Sequence, residues 1–176
     1  MNDQAILDVL ERIRGRYYGK YRGTVSELES EPSRGRLKAY VPAVLGSQAT
    51  GWCDPCVPYA GVNVGMAFLP DVGAGVWIEF EGGDVSYPIW SGCYWRDGEI
   101  PSNVAPGTMV IQTKSGHQIV LDDNGSSITV TDSSGNSITL GSNSGITLQY
   151  ANGGGKVELT DAEVNINDGN LEVQVM

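Results

Sequence analysis

Seven doublets of the form apolar–x–apolar recur through the last third of the chain: Ile119/Leu121, Ile128/Val130, Ile138/Leu140, Ile146/Leu148, Val157/Leu159, Val164/Ile166 and Leu171/Val173. Their starts lie 9, 10, 8, 11, 7 and 7 residues apart. Between them stand turn-forming runs such as Asp122-Asp-Asn-Gly125, Asp132-Ser-Ser-Gly-Asn136 and Asn152-Gly-Gly-Gly155. An i, i+2 spacing is the period of a β-strand and places both members of a doublet on one face. Each unit therefore reads as a short strand followed by a corner. Thr129, Thr131, Thr139 and Thr147 fall on the opposite, polar side.

A stack of such strands is too thin to bury its own apolar face. Three chains wound about one axis would enclose it and leave no lateral edges. Residues 115–176 are accordingly read as one chain's share of an intertwined trimeric β-helix, or β-prism. Its inward residues are expected to be Ile119, Leu121, Ile128, Val130, Ile138, Leu140, Ile146, Leu148, Val157, Leu159, Val164 and Ile166. A small sandwich, a hairpin stack or a single-chain β-helix is the plainer alternative. Residue usage supports a narrow, continuous ladder. After Pro106 there is no further proline, and Tyr150 is the one aromatic.

The first part of the chain is composed differently. It holds all 8 prolines and all 4 tryptophans. Ile6, Leu10 and Ile13 share a helical face, with Leu7 beside them, Asn2 or Asp3 as a cap and Gly15 as a stop. Arg12, Arg14, Arg16, Lys20 and Arg22 follow, read as a solvated helix end. Strand signals occupy residues 21–29, 36–41, 76–81 and 89–94, with Gly82-Gly83-Asp84 as a reversal. About five short strands and a long loop over residues 46–70 suggest a small antiparallel barrel. The expected division is a helical segment 1–16, a barrel 17–100, a linker 101–114 and the trimeric needle 115–176.

Within the barrel, Trp52-Cys-Asp-Pro-Cys-Val-Pro-Tyr-Ala-Gly61, Gly65-Met-Ala-Phe-Leu-Pro-Asp-Val-Gly73, Val76-Trp-Ile-Glu-Phe-Glu-Gly-Gly-Asp84 and Pro88-Ile-Trp-Ser-Gly92 follow one another in order. This series resembles the oligonucleotide/oligosaccharide-binding (OB) domain of contractile-tail spike proteins. Those include the baseplate assembly protein V of phages, the spikes of tailocins and extracellular injection systems, and the type VI secretion spike. Trp52, Pro58, Gly61, Gly73, Phe80, Gly83, Asp84 and Gly92 carry the match. With the repeats, the resemblance extends over residues 17–176. It implies an all-β homotrimer with its OB domains under a baseplate hub and its β-helix aimed at the target membrane. Only about 16 residues precede the barrel, so the hub is expected to be a separate protein. No lysozyme-type domain stands between barrel and needle. The His-x-His iron motif of some phage needles is missing, since His117 is the one histidine. The resemblance then implies a PAAR-type tip protein docking on Leu171, Val173 and Val175.

Chemical motifs reduce to structural ones. Cys53-Asp-Pro-Cys56 has redox or zinc spacing, yet a second ligand pair is wanting and Pro55 and Pro58 make the segment a loop. Asp122-Asp-Asn-Gly lacks the ligand run of a calcium loop. Glu79 and Glu81 imitate a carboxylate pair without a sugar cleft. One histidine, in a strand repeat, builds no triad. Trp77, Trp90, Tyr94 and Trp95 could stack on bases, but Glu79, Glu81, Asp84 and a net charge of −10 oppose nucleic acid. No run of about 20 apolar residues spans a bilayer. The N-terminus does not read as a signal peptide, so synthesis in the cytoplasm and assembly into a baseplate are expected. The expected role is mechanical: no catalytic residue, metal or cofactor, and a spike that pierces the target cell envelope. A glycan-binding OB module trimerised by a β-tail is the alternative, and an enzyme using the cysteine pair a third reading.

Overall fold

The computed structural model describes residues 3–31, 34–142 and 145–167. The chain divides into two compact units, Met1–Glu99 and Ile100–Met176.

The first unit opens with α1 (Asp3–Ile13), whose Ile6, Leu7, Leu10 and Ile13 are exposed. Gly15, at φ 78°, follows its last turn. The strands are β1 (Tyr21–Leu28), β2 (Leu37–Tyr40), β3 (Asp54–Pro55), β4 (Ala60–Gly61), β5 (Val64–Gly65), β6 (Gly75–Phe80) and β7 (Pro88–Tyr94), with a one-turn helix α2 (Pro42–Leu45) after β2. Five of them form a sheet in the order β2-β1-β6-β7-β3. Its pairings are antiparallel except for β3 with β7. The sheet curls because residues 53–55 serve both of its edges. Cys53 exchanges backbone hydrogen bonds with Leu37 of β2, while Asp54 and Pro55 pair with Ile89 and Trp90 of β7.

Period-two alternation fills the curl. Val25, Leu37, Ala39, Val41, Cys53, Val76, Ile78, Phe80 and Trp90 form the core. Burying each large side chain contributes about 1.5–3 kcal/mol. Two-residue β4 and β5 form a separate hairpin in the long loop. A bulge bends β7, where Ser91 and Gly92 together oppose Trp77. Gly92 sits there at φ 136°, which a side chain would resist.

The second unit is a meander of β8 (Thr108–Gln112), β9 (Gln118–Asp122), β10 (Ser127–Thr131), β11 (Ser137–Gly141), β12 (Gly145–Gln149), β13 (Lys156–Leu159) and β14 (Val164–Ile166). Each strand pairs antiparallel with its neighbours in chain order. The linker expected over 101–114 is in part strand, because β8 joins the ladder and adds Met109 and Ile111. The unit boundary falls earlier, after Glu99. The sequence reading weaves three chains together; within one chain this ladder is already continuous from β8 to β14.

Corners are held by short polar side chains. Asp132 Oδ1 accepts from the backbone N–H of Ser134 (2.8 Å) and Asn136 (2.9 Å), and its Oδ2 from Asn136 Nδ2 (2.6 Å). Asn136 Oδ1 in turn accepts from Ala151 N, across to the next corner. Asp122 Oδ1 accepts from Asn124 N in the same manner. These are Asx turns, which make tight reversal favourable without an apolar anchor.

Candidate trimerisation face and OB motif

Register decides what the second unit presents. Met109, Leu121, Ile128, Leu140, Ile146, Leu159 and Val164 oppose one another in succession across the seven strands. Ile111, Ile119, Val130, Ile138, Leu148, Val157 and Ile166 form a second row beside them. Between the rows, Val110, Val120, Thr129, Thr139, Thr147, Glu158 and Asn165 occupy the intervening positions and point to the other face.

The twelve residues read as inward are thus gathered on one face. Among the described residues of the second unit, that face is left half-exposed. Ile119, Ile128, Val130, Ile138, Leu140, Ile146, Leu148 and Leu159 are between 39% and 44% exposed. Two unbroken aliphatic rows far exceed the isolated apolar residues of an ordinary surface. Met109 and Ile111 were missed as members of the face. Their own alternation was the available signal, masked by Pro101 and Pro106 nearby. Leu171, Val173 and Val175 lie outside the described residues.

The OB-type motif residues are dispersed through the first unit, each at a structural point. Phe80 is buried against the rings of Tyr17 and Tyr21. Gly83, at φ 76°, is buried, and its carbonyl accepts from Tyr17 N at 2.8 Å. Asp84 accepts from Ser86 N and from Arg16 Nη1, so the β6–β7 reversal grips the segment entering β1. The Ser86 hydrogen bonds, with Arg16 beside them, hold its carboxyl below the usual range. Gly73 N donates to Val25 O (2.9 Å). Trp52 lies under the Lys38 ammonium, 4.4 Å from the ring centre. Gly61 sits in β4, and Pro58 is exposed before it.

The remaining candidates resolve into packing and ion pairs. Glu79 pairs with Lys20 and accepts from Ser91, which lowers its pKa, whereas Glu81 lies in the following turn. Trp90 is core, and its Nε1 donates to Gly35 O. The rings of Trp77 and Tyr94 meet at 5.2 Å, tilted by 52°, with Arg22 over both, and Trp95 is exposed. Burial pushes the Cys53 thiol up to about 11, against the Thr50 hydrogen bond that lowers it. Such a thiol is protonated at neutral pH and a poor nucleophile. Cys53, Cys56 and Cys93 are all free. Among the described residues, no group of three or more His, Cys, Asp or Glu is placed to hold a metal ion, and no helix is long and apolar enough to cross a membrane.

Comparison with known proteins agrees with this division. Residues 21–95 match the type VI secretion system/phage-baseplate injector OB domain. Residues 108–172 match the phage baseplate V C-terminal trimerisation domain, whose first residue coincides with the start of β8. Between them the matches span about four fifths of the chain. No curated protein matches it. An injector OB domain followed by a baseplate V trimerisation domain, in that order and on the two units of the fold, places this chain in the baseplate V family of spike proteins.

Proposed function

We propose that three copies assemble through the apolar face of β8–β14 into a non-enzymatic spike. The spike stands at the end of the inner tube of a contractile injection particle, is mounted there by a separate baseplate hub protein, and pierces the target cell envelope. A PAAR-type tip protein would cap it at Leu171, Val173 and Val175. The observation that carries the reading is the pair of aliphatic rows, continuous over seven strands and half-exposed among the described residues. Three such faces turned inward bury every row, and burial at about 25 cal/mol per Å² drives association. The outward column of threonines, with Glu158, stays hydrated. A ladder hydrogen-bonded along both sides of its inner strands suits axial load.

Two measurements test this. Light scattering should give three times the chain mass of 18.8 kDa; a value near the single mass overturns the trimer. Val130→Asp should abolish it, because three carboxylates would be enclosed at one level without partners. A heat-resistant Val130→Asp trimer would show that the other face is inward. Imaging of the particle should then place the chain at the tube's end.

A further inference from the structure

A second uncovered surface lies in the first unit. Residues 56–70 contain no charged side chain, although the chain as a whole carries −10. Their apolar side chains are turned outward: Val62 is 90% exposed, Tyr59 and Phe68 60%, and Met66 50%. Two shallow concavities of about 450 Å³ each lie side by side here and share Met66, Phe68 and Trp90. One is bordered by Tyr59, Val64 and Leu69, with Arg34, paired to Asp54, at its rim. The other is bordered by Cys56 and Cys93, both exposed.

The surface is pre-formed. Met66 N donates to Tyr59 O (3.0 Å), Gly61 pairs with Val64, and Cys56 N donates to Trp90 O (2.9 Å). Asn63, at φ 57°, makes the reversal between β4 and β5. A partner therefore finds the apolar groups already ordered and loses little entropy in docking.

We infer that this surface is a second interface between copies of the chain, in which residues 56–70 of one first unit pack against a neighbouring first unit. The inference rests on the trimer proposed above. If three second units associate, the thirteen residues 95–107 tie each first unit to the assembly. They span at most about 45 Å, so the first units are held at an effective concentration in the millimolar range. At that concentration even a weak apolar contact is occupied. Charge permits the same occupant: residues 56–70 bring no charged side chain and Arg34 at the rim is paired with Asp54, so two first units can meet there without opposing like charges.

Cys56 and Cys93 report on the patch directly. Full-length protein would be labelled with a maleimide at neutral pH, and the modified cysteines read by mass spectrometry. Particle mass would be followed in parallel by light scattering. With the patch covered, Cys56 and Cys93 should label about tenfold or more slowly in the native assembly than after denaturation. Phe68→Glu should keep the trimeric mass, which the second unit supplies, and restore fast labelling of Cys56. A monomeric mass for the wild type overturns the trimer itself. A trimeric mass with Cys56 labelled as fast as in denatured protein overturns the second interface alone. Protection that appears only when the baseplate hub is added gives the patch to the hub and equally overturns the inference.

Discussion

At the residue scale, polar side chains act mainly as fasteners. Asp132 makes three hydrogen bonds at one corner, and its pKa is held below the usual 3.8, chiefly by the Asn136 side chain. A carboxylate whose folded pKa is depressed adds stability above its unfolded pKa and loses it as pH falls through the folded one. The wild-type melting temperature should therefore fall as pH drops below about 4. Asp132→Ala should melt lower at neutral pH and show a shallower acid slope; parallel slopes would mean that Asp132 is not held. Single residues of this kind were partly legible. Asp132-Ser-Ser-Gly-Asn136 announces a corner by composition. The reach of Asn136 to Ala151 does not, because it joins corners 15 residues apart. Cys53 resembles half of a reactive pair in sequence. Its exchange with Leu37 and its contact with Thr50 make it a core residue, and only the closed curl shows this.

At the element scale, the doublets were legible because spacing two is the physical period of a strand. The face they share followed without knowledge of any turn. What spacing cannot express is which strand lies beside which. Strands of one chain and of three chains alternate alike, and here each strand lies beside its sequence neighbours. Thr129 and Thr139 are directly opposed on the polar face of β10 and β11. Opposed Cα atoms in an antiparallel pair lie about 4.5–5.5 Å apart, within disulfide range. Oxidised Thr129→Cys/Thr139→Cys protein should run as a monomer on a denaturing gel without reductant. With Cys53, Cys56 and Cys93 replaced by Ser, so that no native thiol cross-links, covalent dimers and trimers would show instead that β10 and β11 of different chains alternate. Closure of the first unit was the least legible element. β3 has two residues, pairs in parallel and lies 35 residues before its partner β7, so no local pattern marks it.

At the scale of the whole molecule, the two units solve opposite problems. The first has its own core of nine buried residues and leaves a loop uncovered. The second has well-paired strands and nearly no core of its own; Ala151 is its buried hydrophobic residue among those described. If the trimer proposed above forms, the order of the second unit depends on association, whereas that of the first does not. Dilution below the dissociation constant should accordingly unfold the second unit first. Circular dichroism should show a concentration-dependent transition followed by a concentration-independent one. A single transition independent of concentration would contradict that division.

The unbroken register of β8–β14 has a consequence for length. Opposed residues stay in the same row whether a row is five or seven members long, so the ladder is a ruler graduated in hairpins. Removing residues 123–142 takes out β10 and β11 and brings Leu121 opposite Ile146, in the row both already occupy. Removing one residue from a strand instead sends the next apolar side chain to the wrong face. Whole hairpins can therefore be gained or lost with the aliphatic rows intact, at the expense of corner contacts such as Asn136 to Ala151, and length becomes adjustable independently of register.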